Sequence, residues 1–442
     1  LGIGLKLGIQ MTENGFLFVT ENSGFNRVSH QLIRGLALLL VVITAACSGA
    51  DDDIRAPEHI LEMENVTIYS YADIEAADTL TLVREQVFGD TDEVILGRIS
   101  SVEVDGMGRV FIADRDLVTI HVYNPDGSYL KSLGRQGRGP GEFLIVSSST
   151  QMSVNSNRLF VTDGDGKYIH RYHEFMLDDL SLLHTVNLKV ENKGNFDEEF
   201  EKYYPRWVYP RNDGKRLVAY TFIQSHEYHE KERMIRYYLH DIDGNIISGP
   251  VIKQKDLTYL VYRYTGVGNH AFSFPFFGKS VLAISDHDHL YAVRTDEFKI
   301  DVFDPDGKHI RVIQHPYEKV PVTRSELISM YEKIDMTRLD RYQGDDVALN
   351  MIRAADNLPD SWPALNDLLI DDENRLWVST IVEDFDIYEW WVLEESGELI
   401  TKFEWLRDEP IEVIKNGYVY TRQTDEETGL QQVMRYRVEF SE

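Results

Sequence analysis

Four short clusters in this sequence carry side chains able to do chemistry. Asp163-Gly-Asp165-Gly166 and Asp114-Arg-Asp116 place carboxylates at the close spacing that suits a Ca²⁺-binding loop. Neither has the longer ligand series of an EF-hand, so a polar turn is the simpler assignment and Asp163 and Asp165 are kept as the metal candidates. Asp286-His-Asp-His289 and the pair His226 and His229 contain imidazoles able to ligate zinc. The first of these sits in a predicted hairpin turn and the second in a polar loop, which argues for solvated turns instead. No Gly-x-Ser-x-Gly elbow, phosphate-binding loop or His-Glu-x-x-His motif occurs, so no catalytic residue is assigned.

The composition narrows the elements that could position such groups. The chain has 442 residues, 43% of them hydrophobic, enough for a large core in one long all-β unit. Its 24 Tyr, 20 Phe and 6 Trp favour strands. A formal charge of −29 repels a phosphate backbone, so nucleic acid is not expected as a partner. The single cysteine, Cys47, allows no intrachain disulfide, which leaves packing to supply stability.

Residues 35–46 form an apolar run that follows Arg27, His30 and Arg34 and ends in small residues. This is the pattern of a secretory signal peptide, and the run is shorter than the ~20 residues a spanning helix needs. The first ten residues do not fit that pattern, which places the expected start at Met11 or later. Thr44-Ala-Ala-Cys47-Ser48 resembles the lipobox of bacterial lipoproteins, with Thr44 where leucine is usual. The resemblance implies a lipid on Cys47 and attachment to the outer membrane, facing the periplasm or the cell surface. Residues 47–65 are polar and read as a flexible tether.

From residue 66 on the sequence repeats. An apolar strand, a tight polar turn and a second apolar strand recur six times, at residues 102–114, 152–163, 208–220, 282–293, 368–380 and 411–422. Second hairpins follow, turning at Asn124-Pro-Asp-Gly127 and Asp304-Pro-Asp-Gly307, and in weaker form before Gly244 and Gly397. Two hairpins make a four-stranded blade. The sixth copy ends one strand short, and Thr79–Val87 is a strand with no blade of its own. Joining the two closes a ring of six and removes two exposed edges. The expected fold is therefore an all-β, six-bladed propeller over residues 66–442.

Residues 130–143, with the Val-Asp-Gly and Val-Tyr-Asn-Pro-Asp-Gly runs before them, resemble the repeat and inter-blade linker of NHL-repeat proteins. The wider pattern is similar to six-bladed propeller lipoproteins of Bacteroidetes and related bacteria. That resemblance implies a binding face made of the loops entering each blade and the loops joining its two hairpins. Arg98, Arg138, Arg206, Trp207, Phe276 and Trp362 fall in those loops, and Arg with Trp suits sugars, aromatic ligands or carboxylates. Packing of Trp207 and Trp362 between blades is the alternative assignment.

One segment breaks the repeat. Thr323-Arg-Ser-Glu326 reads as a capping box, and Leu327, Tyr331, Ile334, Leu349 and Ile352 recur at helical spacing. A helical insertion is expected at about 322–358, between blades four and five. The functional expectation is an envelope-anchored module that binds a glycan, small molecule or protein. The rival is a metal-assisted hydrolase or lyase in the central channel, which needs three or more carboxylates or histidines converging on one point.

Overall fold

The structure, a computed structural model, describes residues 58–441 apart from 62, 64, 76–77, 92–93, 167, 191–199, 201, 223–232, 265–267, 334–344 and 426. Cys47, the signal segment, His226 and His229 lie outside the described residues.

Six four-stranded antiparallel blades form as the repeat predicts. Blade one runs Ile99–Val104, Val110–Asp114, Thr119–Tyr123 and Tyr129–Leu133. Blades two to five begin at Met152, Tyr203, Ser280 and Leu365 and keep the same strand order. The first strands of neighbouring blades lie side by side around the centre, as between blades one and two and between six and one.

In four of the blade turns a single aspartate does the same work. The carboxylate of Asp105 accepts the amides of Met107 and Arg109, both at 2.9 Å. Asp241, Asp304 and Asp371 accept amides two and four residues on in the same way. Such a side chain mimics the backbone of the turn and satisfies donors the ladder leaves over. This is the physical content of the Asp-containing turns that recur along the chain.

Strand alternation then builds the ring. Val110 and Ile112 point into one apolar cluster, while Phe111 and Ala113 point into another on the opposite face of the same strand. The first cluster joins blade one to Phe88, Tyr420 and Val433 of blade six. The second joins it to Leu159, Val161 and Phe175 of blade two. Each remaining pair of neighbouring blades shares a cluster of its own: two with three, three with four, four with five, and five with six.

The seam lies where the unassigned strand pointed. Thr79–Phe88 pairs antiparallel with Gln431–Ser441, Thr79 facing Ser441 and Phe88 facing Val433. It becomes the outer strand of blade six, after Ile411–Lys415, Tyr418–Thr424 and Gln431–Ser441.

Two features were not foreseen. Val66–Ile68 pairs in parallel with the outer strand of blade four, His309–Gln314, giving that blade a fifth strand. The polar segment before it is also more ordered than a tether to residue 65 implies. Glu58–Leu61 forms a helical turn with Ile60 fully buried, and Asn65 accepts the amide of Val312. A buried aliphatic side chain and a paired backbone hold this end against the body.

The seam gives a direct test. Gly127, at φ +84°, sits so close to the seam strand that an added Cβ would lie 2.2 Å from Gln86 and 2.9 Å from the carbonyl of Val87. Gly127→Ala should destabilise the ring by roughly 1–3 kcal/mol through strain and overpacking. Gly106→Ala, where a Cβ meets nothing within 4 Å, should be near neutral. Urea denaturation midpoints of the two variants check this.

Candidate functional site

The helical insertion forms where the capping pattern placed it, as two helices, Arg324–Lys333 and Asp345–Ala354. Glu326 accepts both the amide and the hydroxyl of Thr323 at 2.7 Å, and its own amide faces the Thr323 hydroxyl. That reciprocal pairing satisfies donors the first turn would leave open. The Arg324 guanidinium reaches across to the carbonyls of Ile352, Arg353 and Ala355, closing the end of the second helix.

The insertion leaves and rejoins the propeller through a zipped neck. The amide of Val322 bonds to the carbonyl of Asp360 at 2.9 Å, and that of Trp362 to Val320 at 2.8 Å. Beneath the helices, Leu327, Tyr331, Met351 and Ile352 pack on Phe274, Phe276 and Trp362. The insertion is thus held by an apolar floor of its own.

Between the first helix, the neck and the loop 381–387 of blade five lies a pocket of about 680 Å³. Its walls are Val320, Pro321, Val322, Met330, Trp362 and Phe385, and its polar lining is Ser329, Glu326 and Glu383. Trp362 and Phe385 face each other with ring centroids 5.0 Å apart. The loop is fixed at its start by the Tyr317 hydroxyl donating to the Ile381 carbonyl, and at its end by Arg407 donating to Ile387. A mostly apolar concavity with a few polar groups is the usual form of a small-molecule site.

The predicted face residues do not all converge here. Trp362 lines the pocket, and Phe276 lies below it at 6.5 Å, fully buried as a support. Arg98 is committed to Asp116 in an exposed ion pair at 2.6 Å. Arg138 is exposed, and its carbonyl accepts Arg171. Arg206 lies over the ring of Trp207, which packs against the cluster between blades three and four. Phe385 and Glu383 were missed, although Glu383-Asp-Phe-Asp386 occupies a loop joining two hairpins, the class of loop expected to form this face.

The metal candidates have other work. Asp163 is buried, with one oxygen on the amide of Leu144 at 2.8 Å and the other on Arg171 at 2.7 Å. Burial pushes its carboxyl upward, but hydrogen bonds from His173, Arg171 and Leu144 outweigh this and hold it below the usual range. Asp165 accepts the amide of Tyr168 and lies 3.2 Å from His170. With its oxygens spent on protein donors, the pair is a clamp and a turn, and the Ca²⁺ reading is not supported. Among the described residues no three His, Cys, Asp or Glu side chains are grouped to hold a metal ion.

Two arrays invite a catalytic reading. His121 bonds through Nδ1 to the Ser132 hydroxyl at 2.9 Å, and its Nε2 lies 3.5 Å from Asp114. Thr185, His173 and Asp163 repeat this in blade two, at 2.9 and 3.6 Å. Recurrence at equivalent strand positions, with each aspartate also holding an amide of the incoming linker, makes them braces across the blade.

The channel carries its own charge. Glu103, Glu412 and Lys415 line a cavity of about 200 Å³ between the inner strands. Arg422 holds Glu412 at 3.0 Å. Enclosure raises Glu103 from its ordinary 4.5 to about 7, against the opposing pull of the Val104 amide and Lys415. An acid whose folded value is raised binds its proton more tightly when folded, so stability falls as pH rises from about 4.5 to 7. Glu103→Gln should therefore gain about 1–2 kcal/mol at pH 8 and nothing below pH ~4.5, read from thermal melts at both ends.

Residues 63–266 match the family model of a 6-bladed beta-propeller. The chain is similar to a putative exported protein of Bacteroides fragilis at 12% identity, covering 82% of this chain and 95% of that one, with a TM-score of 0.45. It is also similar to a member of the duf4221 family from Bacteroides vulgatus (10% identity, 82% and 98% covered, TM-score 0.47). A third similarity is to virginiamycin B lyase from Staphylococcus aureus (10%, 81% and 99%, TM-score 0.37). No curated protein matches the sequence. The fold is that of a six-bladed propeller, and the particular ligand has to be argued from the pocket.

Proposed function

We propose that this protein is an envelope-anchored binding propeller that takes a small ligand in the pocket between its helical insertion and blade five. The observation that carries the reading is the pocket itself: a 680 Å³ concavity with an aromatic wall, roofed by an insertion that the repeat does not need for closure. Loops on a rigid frame are where binding residues concentrate. The anchoring half rests on the apolar run and on the Thr44-Ala-Ala-Cys47 context. Cys47 carries the lipid in this reading, and the outer membrane is the partner that holds it. Among the described residues no helix is long and apolar enough to cross a membrane.

The rival, a metal-assisted hydrolase or lyase in the channel, asks for a convergent ligand set. Glu103, Glu412, Asp286, Asp371 and Asp372 line the channel cavity, but Glu412 is held by Arg422, Asp371 by Arg375 and Asp372 by the amide of Asn416, and no three such side chains are grouped to hold a metal ion among the described residues. Of the two readings, the binding module is the better supported.

Two measurements test the proposal. In a thermal-shift screen of the mature protein against glycans, metabolites and short peptides, a true ligand should raise Tm, and Phe385→Ala should weaken its binding about tenfold or more. Ligands indifferent to Phe385→Ala and Met330→Ala would place the site elsewhere. For the anchor, Cys47→Ala should move the protein from the membrane to the soluble fraction, and unchanged fractionation refutes lipidation at that residue.

A further inference from the structure

We propose that the pocket selects a small organic cation with an aromatic or aliphatic body, because an aromatic wall and two carboxylates meet at one cavity. The inference rests on the reading of that pocket as the binding site and goes beyond it to the ligand's chemistry.

The walls set the body of the ligand. Val320, Met330 and Phe385 offer apolar surface and one exposed ring face, backed by the nearly buried Val322 and Trp362, which rewards desolvation of a hydrocarbon or aryl group. A sugar would need many donors and acceptors, and besides its two carboxylates the pocket's polar side-chain lining is Ser329 alone. The lining thus argues against a glycan.

The charges set the sign. Both charged side chains in the lining, Glu326 and Glu383, are carboxylates. Glu326 stays ionised, because the hydroxyl and amide of Thr323 both donate to its Oε2 and hold it below the usual carboxylate range. An anionic ligand would meet like charge at both positions, whereas a cation finds carboxylates beside ring faces.

The same loop already holds one cation in this manner. The Arg407 guanidinium lies 4.9 Å from the ring centre of Phe385 and 4.4 Å from that of Tyr388. Asp384 and Asp386 act on it electrostatically and offset its charge. They leave Glu326 and Glu383 for a cation in the pocket. A second positive group against the Trp362 and Phe385 pair would repeat a pattern the loop uses for its own arginine.

Three probes that share one skeleton separate the terms: phenethylamine, phenethyl alcohol and phenylacetate, titrated calorimetrically into the mature protein. The amine should bind about tenfold tighter than the alcohol, and the carboxylate weakest. Glu383→Gln should reduce amine affinity roughly three- to tenfold while leaving the alcohol unchanged, and Phe385→Ala should weaken both. Glu383 is exposed, so Glu383→Gln should keep the wild-type melting temperature, while Phe385→Ala, which loses ring contacts with Trp362 and Arg407, should lower it only slightly and stay folded. If phenylacetate binds as tightly as the amine, or Glu383→Gln leaves the ratio untouched, the charge inference is overturned. The pocket reading then survives provided Phe385→Ala still weakens the probes. Failure of all three at millimolar concentration also overturns the cation inference, and the broader ligand screen alone then judges the pocket.

Discussion

The structure depends on one pairing, between Thr79–Phe88 and Gln431–Ser441. A propeller blade buries both faces only when it has a neighbour on each side. Five of the six clusters between blades form along the chain in order, but the sixth requires its two ends to meet. Phe88 enters that last cluster beside Tyr420 and Val433, against Val102, Val104 and Ile112 of blade one. Without the seam strand, blade six would expose an unpaired edge and blade one would lose an apolar partner. The entropy of bringing such distant segments together grows only slowly with length, and the shared cluster can offset it.

Closure supplies a stiff frame, and the frame makes precise loops possible. The braces built from Asp114 with His121 and from Asp163 with His173 tie each incoming linker to its blade. The insertion gains from the same rigidity. Its neck is zipped at Val320, Val322 and Trp362, its first helix is capped at the start by Thr323 and Glu326, its second is closed at the end by Arg324, and its floor is the aromatic cluster of Phe274, Phe276 and Trp362. Loop 381–387 is pinned by Tyr317 and Arg407. The pocket is a space between two elements that are each fixed separately.

Sequence patterns reveal a side chain's type and the element it occupies more readily than its partners. Trp362 and Phe276 were named as face residues, and they do meet at the insertion, one in the pocket wall and one beneath it. Arg98, Arg138, Arg206 and Trp207 were named on the same grounds, yet Arg98 is drawn off by Asp116 and Trp207 by an inter-blade cluster. Asp163 looked like a cation ligand because its neighbours in sequence are acidic and small. Its neighbours in space are Arg171, His173 and the amide of Leu144.

What the sequence determined by itself was the repeat, its count, the seam and the helical insertion. These follow from local rules: alternation along a strand, Asp and Gly in tight turns, a capping box, and a strand left over at the right end. What only the tertiary structure decided was which polar groups are already satisfied, how the segment from Glu58 to Ile68 docks on blade four, and that Phe385 and Glu383 line one pocket with Trp362. The difference is physical. Turn and strand propensities act over a few residues, whereas desolvation, ion pairing and ring contacts depend on segments brought together by closure of the ring.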